Sequence, residues 1–242
     1  MQTDRKTAPG GSIAARALAV PHSPERRAAD VWGLLMPNGS SPVQSINDLA
    51  RKVPAGTLYL MAPLPAIWWL YLGLTGGLGP EPIRALTVEL GDFAIQLLIA
   101  GLIVTPLRVY FGLSLIKFRR AIGLIAFFYV LLHFTVWLVL DMNFLWGQIL
   151  GDIVKRPFIT IGMTGLVLLI PLALTSNNLS IRKMGPVAWR KLHKLTYPVV
   201  LLAGVHFLLV VKGWQIRPMV YLAIIALLLA LRAVPHRKRA AA

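Results

Sequence analysis

Residues 121–141 read AIGLIAFFYVLLHFTVWLVLD, and residues 192–211 read LHKLTYPVVLLAGVHFLLVV. Each is an apolar run of the length that crosses the hydrocarbon core of a bilayer. Each also carries an imidazole deep inside, His133 and His206, with a further one, His193, at the mouth of the second run. No acid or base lies within seven residues of His133. Ionisable side chains are costly inside a membrane and by default mark function. The two runs decide the fold class: an all-α integral membrane protein.

Four more runs complete the pattern, so that spans are expected at 57–74, 88–107, 121–141, 158–175, 190–211 and 216–232, a six-transmembrane-helix bundle. Pro63 and Pro65 predict an irregular start to the first span. Pro198, five residues after His193, predicts a bend in the fifth. The composition agrees, with 57% hydrophobic and only 14% charged residues and a mean hydropathy of +0.68, values too apolar for a soluble domain.

The formal net charge of +16 would suggest nucleic acid in a soluble protein, but no basic helix or base-stacking motif supports that partner. The cations sort by loop instead. Twenty of the 25 Lys and Arg residues fall in the N-terminal region, the loops 108–120 and 182–194, and the C-terminal end. Only Arg84, Lys155, Arg156, Lys212 and Arg217 lie on the other side. The positive-inside rule then places both termini in the cytoplasm. Residues 1–56, rich in Ala, Pro, Ser and Arg, read as a disordered N-terminal tail without a signal peptide. Residues 57–233 form the transmembrane domain and 234–242 a basic tail. The outward segment 141–158 reads as a short amphipathic helix, against which stand a plain loop anchored by Trp146, slightly favoured, and a docking surface.

The histidines carry the chemistry. The chain has no cysteine, which excludes disulfides, iron–sulfur clusters and thiolate or c-type haem attachment. A helix rises about 1.5 Å per residue, so His133 sits ~18 Å and His206 ~21 Å from the cytoplasmic ends of their spans. Equal depth on two helices is what bis-histidine haem ligation needs; the alternative is a pair of buried histidines satisfied by neighbouring hydroxyls. Gly204 could give a macrocycle room or serve helix packing. His193 has no counterpart on span three, because the positions thirteen and fourteen before His133 are Arg120 and Arg119. It could ligate a second haem with an unusual partner, bond a propionate, or hold a quinone. Arg119, Arg120 and Trp189-Arg190-Lys191 could grip anionic groups or act as topology anchors. His22 and His236 read as surface residues.

The runs VTPLRVYFG (104–112), FRRAIGLIAFFYVLLH (118–133), ITIGMTGLVLLIPLALTSN (159–177) and WRKLHKLTYPVVLLAGVHFLLVVKG (189–213) resemble the MsrQ (YedZ) family. These are the haem-binding membrane subunits of the bacterial periplasmic protein-methionine-sulfoxide reductase system, within the ferric-reductase-like transmembrane superfamily. The resemblance covers about residues 57–233. It implies a multi-pass protein of the bacterial inner membrane that passes electrons from the quinone pool through haem b to a periplasmic molybdopterin-containing partner, which repairs methionine sulfoxide in oxidised proteins. By position, His133, His193 and His206 match the family's haem-associated histidines. FMN is implied by the resemblance alone. The superfamily's paired histidines are four and this chain has three in its spans, which separates it from the oxidases. Only HRKRAAA follows the last span and no GxGxxG unit is present, so the chain is not expected to take hydride from NAD(P)H itself. Other readings on the same residues are a cytochrome b of another pathway, serving a metalloreductase or a hydrogenase, and a transporter without haem.

Overall fold

The computed structural model describes residues 41–211 and 215–233. The chain divides into two compact units, Met1–Ser45 and Ile46–Ala242. Of the first unit only residues 41–45 are described. Secondary structure among the described residues is helical: α1 (Pro42–Lys52), α2 (Gly56–Met61), α3 (Pro63–Leu74), α4 (Pro82–Phe111), α5 (Arg119–Val136), α6 (Trp146–Lys155), α7 (Pro157–Leu174), α8 (Asn178–Leu192), α9 (Thr196–Val210) and α10 (Ile216–Ala233). Five stretches are long and apolar enough to cross a membrane: Gly56–Leu74, Pro82–Phe111, Ile116–Asp141, Pro157–Leu174 and Asn178–Val210. The protein is a multi-pass, all-helical membrane protein. Helix α10, which carries Arg217 and Arg232 at its two ends, covers the sixth expected span, 216–232, but is not one of these five stretches.

Several boundaries differ from the sequence expectation. Residues 1–40 of the expected tail lie outside the described residues, whereas Pro42–Lys52 is helical, so regular structure begins ahead of the first span. Asn47 accounts for part of this. Its amide donates to the Gly112 carbonyl at 3.0 Å and its oxygen accepts from the Ser114 N–H at 2.8 Å. Lys117 Nζ donates to the Arg51 and Val53 carbonyls. The fifth span does not bend at Pro198. The break falls earlier, in a 3₁₀ turn at His193–Leu195, and Pro198 sits in the first turn of α9, where its missing N–H costs nothing. A second break lies at Gly185, whose φ of 78° no β-carbon-bearing residue adopts readily and whose successor, Pro186, disfavours helical geometry before it. The segment 141–158 contains the amphipathic helix α6, not a plain loop. It buries Ile149 and Asp152 and exposes Trp146, Leu150 and Val154.

Two antiparallel helix pairs form the body. Helix α4 packs along α5, and α7 along α9, with α10 laid against α9 and α4. Their shared core joins Ile95, Leu98 and Leu102 of α4 with Ala126, Leu169, Val200 and Ile225. A second cluster, around Leu90, Ala94 and Tyr129, gathers Trp69 and Phe93.

Tyr129 explains how the proline-broken first span is held. Pro63 and Pro65 bring no N–H, and α2 gives way to α3 at Ala62. The fully buried Tyr129 hydroxyl donates to the Ala62 carbonyl at 2.6 Å and accepts the Ala66 N–H at 3.2 Å. It thus bridges the two groups that an unbroken helix would pair directly. Tyr129→Phe should cost about 1–3 kcal/mol, because two backbone groups lose their partner in an apolar setting. Thermal unfolding of the detergent-solubilised variant checks this, with a lowered midpoint expected.

Candidate haem-binding site between two helix pairs

His133 on α5 and His206 on α9 face one another with ring centres 6.2 Å apart and planes at 88°. The equal depth expected from helix rise is therefore met, and the two rings come from different helix pairs. Each ring is held from behind in the same way. His133 Nδ1–H donates to the Thr87 carbonyl of α4 at 2.8 Å. His206 Nδ1–H donates to the Phe158 carbonyl of α7 at 2.7 Å.

These carbonyls are reachable because of two glycines. A helical carbonyl keeps a second lone pair beyond its i→i+4 bond. The Cβ of residue i+4 leans back toward that oxygen, since Cα–Cβ bonds tilt to the helix N-terminus. Residue i+4 is Gly91 for Thr87 and Gly162 for Phe158. A Cβ built at Gly91 would lie 2.8 Å from His133 Nδ1 and 3.0 Å from its Cε1; at Gly162 the corresponding distances to His206 are 2.8 and 2.9 Å. A glycine inside a helix costs about 1 kcal/mol relative to Ala, and here both give the space an imidazole occupies.

With both Nδ1 atoms engaged, the hydrogen bonds among the described residues leave each Nε2 free. Both rings line one cavity of about 250 Å³, walled largely by apolar side chains including Ile95, Leu98, Leu166 and Leu169. The donor set suits iron in a macrocycle. Two metal–imidazole bonds of about 2 Å, with about 1 Å from each nitrogen to its ring centre, span about 6 Å. A back-side carbonyl bond fixes the tautomer that leaves Nε2 as the ligating atom.

His193 is not part of this pair. It lies thirteen residues before His206, in the 3₁₀ turn that precedes α9, about 20 Å away along a helix axis. Its ring stacks on Trp189 at 3.8 Å. Nδ1 lies 3.1 Å from the Trp189 carbonyl, and Nε2 lies 3.5 Å from Ser176 Oγ. Trp189 Nε1 in turn donates to the Thr175 carbonyl at 2.9 Å. Arg120 donates to Asn178 Oδ1 at 2.8 Å, and among the described residues no acidic side chain pairs with Arg119 or Arg120. Gly204 is a packing glycine, not room for a macrocycle: a Cβ there would meet Ile225 and Leu222 of α10 at 3.0 Å.

Sequence reasoning passed over three residues at this site. Gly91 and Gly162 look like ordinary small residues of membrane helices, and only the facing imidazole distinguishes them. Asp92 did carry a signal, as an ionisable residue inside the span expected at 88–107. It is 5% exposed and lines the same cavity as the two histidines.

The description "Ferric reductase like transmembrane component" belongs to the family model that matches residues 87–204, which opens on Thr87. Curated proteins of Brucella ovis, Brucella canis and Brucella suis, each named protein-methionine-sulfoxide reductase heme-binding subunit MsrQ, are 51% identical over 175 residues, covering 72% of this chain and 79% of each relative. An identity of this size over most of both chains, with a ferric-reductase-like match that takes in His133 and ends two residues short of His206, means that the chain belongs to the MsrQ family.

Proposed function

We propose that this chain is the haem b-binding membrane electron-transfer subunit of a protein-methionine-sulfoxide reductase system. In this reading it is a six-span protein of the bacterial inner membrane with both termini cytoplasmic. It draws electrons from the quinone pool and delivers them to a periplasmic molybdopterin-containing subunit that reduces methionine sulfoxide in oxidised proteins. Residues 57–233 are the working domain, between the tails 1–56 and 234–242. The single observation that carries the reading is the facing pair His133 and His206, ring centres 6.2 Å apart, each with its Nδ1 tied to a backbone carbonyl. The relatives' name, heme-binding subunit of that reductase, supports the system.

His133 and His206 would hold the iron through Nε2. The Thr87 and Phe158 carbonyls hold the other nitrogen of each ring, fix the ring angle and raise its basicity. Haem b, when bound there, supplies a reversible one-electron centre. The apolar wall keeps water away from it, and the chain's own side chains provide orientation, not substrate chemistry. We assign His193 a secondary role at the opposite end, toward a propionate, a quinone headgroup or a second haem, in company with Arg119 and Arg120. FMN enters through family resemblance alone and no side chain is assigned to it.

A reduced-minus-oxidised optical spectrum of the purified protein, with haem extracted and counted, tests the reading. A b-type signal is expected, abolished in His133→Ala and in His206→Ala and only partly lost in His193→Ala. Full haem content in His206→Ala would refute the assigned pair. The glycines give a separate check. Gly91→Ala and Gly162→Ala each drive a methyl into an imidazole and should lower bound haem severalfold, because the ring loses its carbonyl and its aim. Gly123→Ala, where a Cβ meets nothing within 4 Å, should bind haem as the parent does.

A further inference from the structure

Among the described residues, Asp92 is the one charged side chain lining the cavity that His133 and His206 share. Its Oδ2 accepts from Arg217 Nη2 at 2.6 Å and from Gln96 Nε2 at 2.6 Å, and Gln96 reaches on to the Tyr221 hydroxyl at 3.0 Å. The contacts tie α4 to α10 across 125 residues of sequence. The pair is lopsided in its surroundings. The Asp92 side chain is 5% exposed, whereas that of Arg217 is 58% exposed and is not part of the cavity wall. Asp92 Oδ1 is buried and has no hydrogen-bond partner among the described residues.

Burial of this kind gives the two charges unequal reach. The guanidinium stands outside the cavity wall, while the carboxylate acts from the wall itself through low-dielectric protein, where a unit charge is felt far more strongly. Seen from the cavity the ion pair is therefore a net negative source. Leaving Oδ1 without a donor in an apolar wall costs free energy, and packing alone gives no reason to retain it. A single helical step along α4 separates Asp92 from Gly91, the residue in contact with the His133 ring.

We propose that Asp92 is a positioning residue of electrostatic kind, a fixed negative charge that favours the oxidised, more positive state of a metal centre held between His133 and His206 and so lowers its midpoint potential. Arg217 Nη2, bonded to Oδ2, holds the carboxylate in place. The inference rests on the haem-binding reading above and deepens it. It concerns the driving force for passing an electron onward, since a lower potential makes the reduced centre a stronger donor.

The test is a potentiometric titration of the detergent-purified protein, with the haem counted in each sample. Asp92→Asn keeps the shape and removes the charge. It should raise the midpoint, shifting the ferrous-to-ferric ratio at a fixed ambient potential roughly tenfold toward ferrous. Asp92→Glu, which restores the charge, should return most of the way to the parent value. Gln96→Leu, which leaves both charges in place, should move it little. Asp92→Ser removes the same charge with a smaller group and serves if the Asn variant does not accumulate. An unchanged or lowered midpoint at parental haem content in the charge-free variants overturns the proposal. Loss of haem from both also overturns it, because the carboxylate would then build the pocket and not set its potential. A parent protein without haem fails the underlying reading instead, so the two failures are told apart by the parent spectrum.

Discussion

Two backbone carbonyls, those of Thr87 and Phe158, govern the arrangement of this bundle. The hydrogen bond at one nitrogen of an imidazole fixes which nitrogen is offered to a metal and where it points, and in an apolar interior the partner for that bond must come from the protein. Here each helix pair supplies its own: α4 holds the ring carried by α5, and α7 holds the ring carried by α9. The pairs are equivalent in chemistry although their sequences differ, TVELG at 87–91 against FITIG at 158–162. Close approach of the helices, the two glycines and the ring separation all follow from that demand.

The fold was largely legible in the sequence because its cause is one-dimensional. Apolar length gives spans, and Pro63 marks the break between α2 and α3 as expected. The location of His133 and His206 at one level also follows from counting residues along a helix. What could not be read is what depends on which helix faces which. Gly204 and Gly162 are indistinguishable as letters, yet one meets Leu222 and Ile225 and the other an imidazole. Pro198 looked like a bend because nothing local says where α9 begins; the 3₁₀ turn at His193–Leu195 puts it in a first turn, where proline is harmless. The Asp92–Arg217 pair joins residues 125 apart, and no periodicity reports such a contact.

The two ends of the bundle are electrically unlike. Among the described residues, the acids Glu81, Asp92 and Asp152 each pair with an arginine at the end where His133 and His206 lie. At the other end Asp48 pairs with Arg51, and Arg119 and Arg120 have no acidic partner. That contrast is the three-dimensional form of the loop asymmetry that orients a membrane protein. It also separates the paired histidines, whose largely apolar wall includes the acid Asp92, from His193, which stands in a cationic setting beside Arg119 and Arg120.

The two brackets distribute mutational risk unevenly. What each imidazole reads at positions 87 and 158 is main chain, and no point substitution deletes a carbonyl oxygen. Those positions are free to drift in side-chain identity as far as the ring is concerned. Positions 91 and 162 are the reverse: any residue with a Cβ intrudes, so a single codon change at either meets resistance that its small, apolar surroundings would not suggest. In a lineage of such proteins the invariant letters would be the glycines that make no bond themselves, while the carbonyls that hold the rings leave no trace in the alphabet.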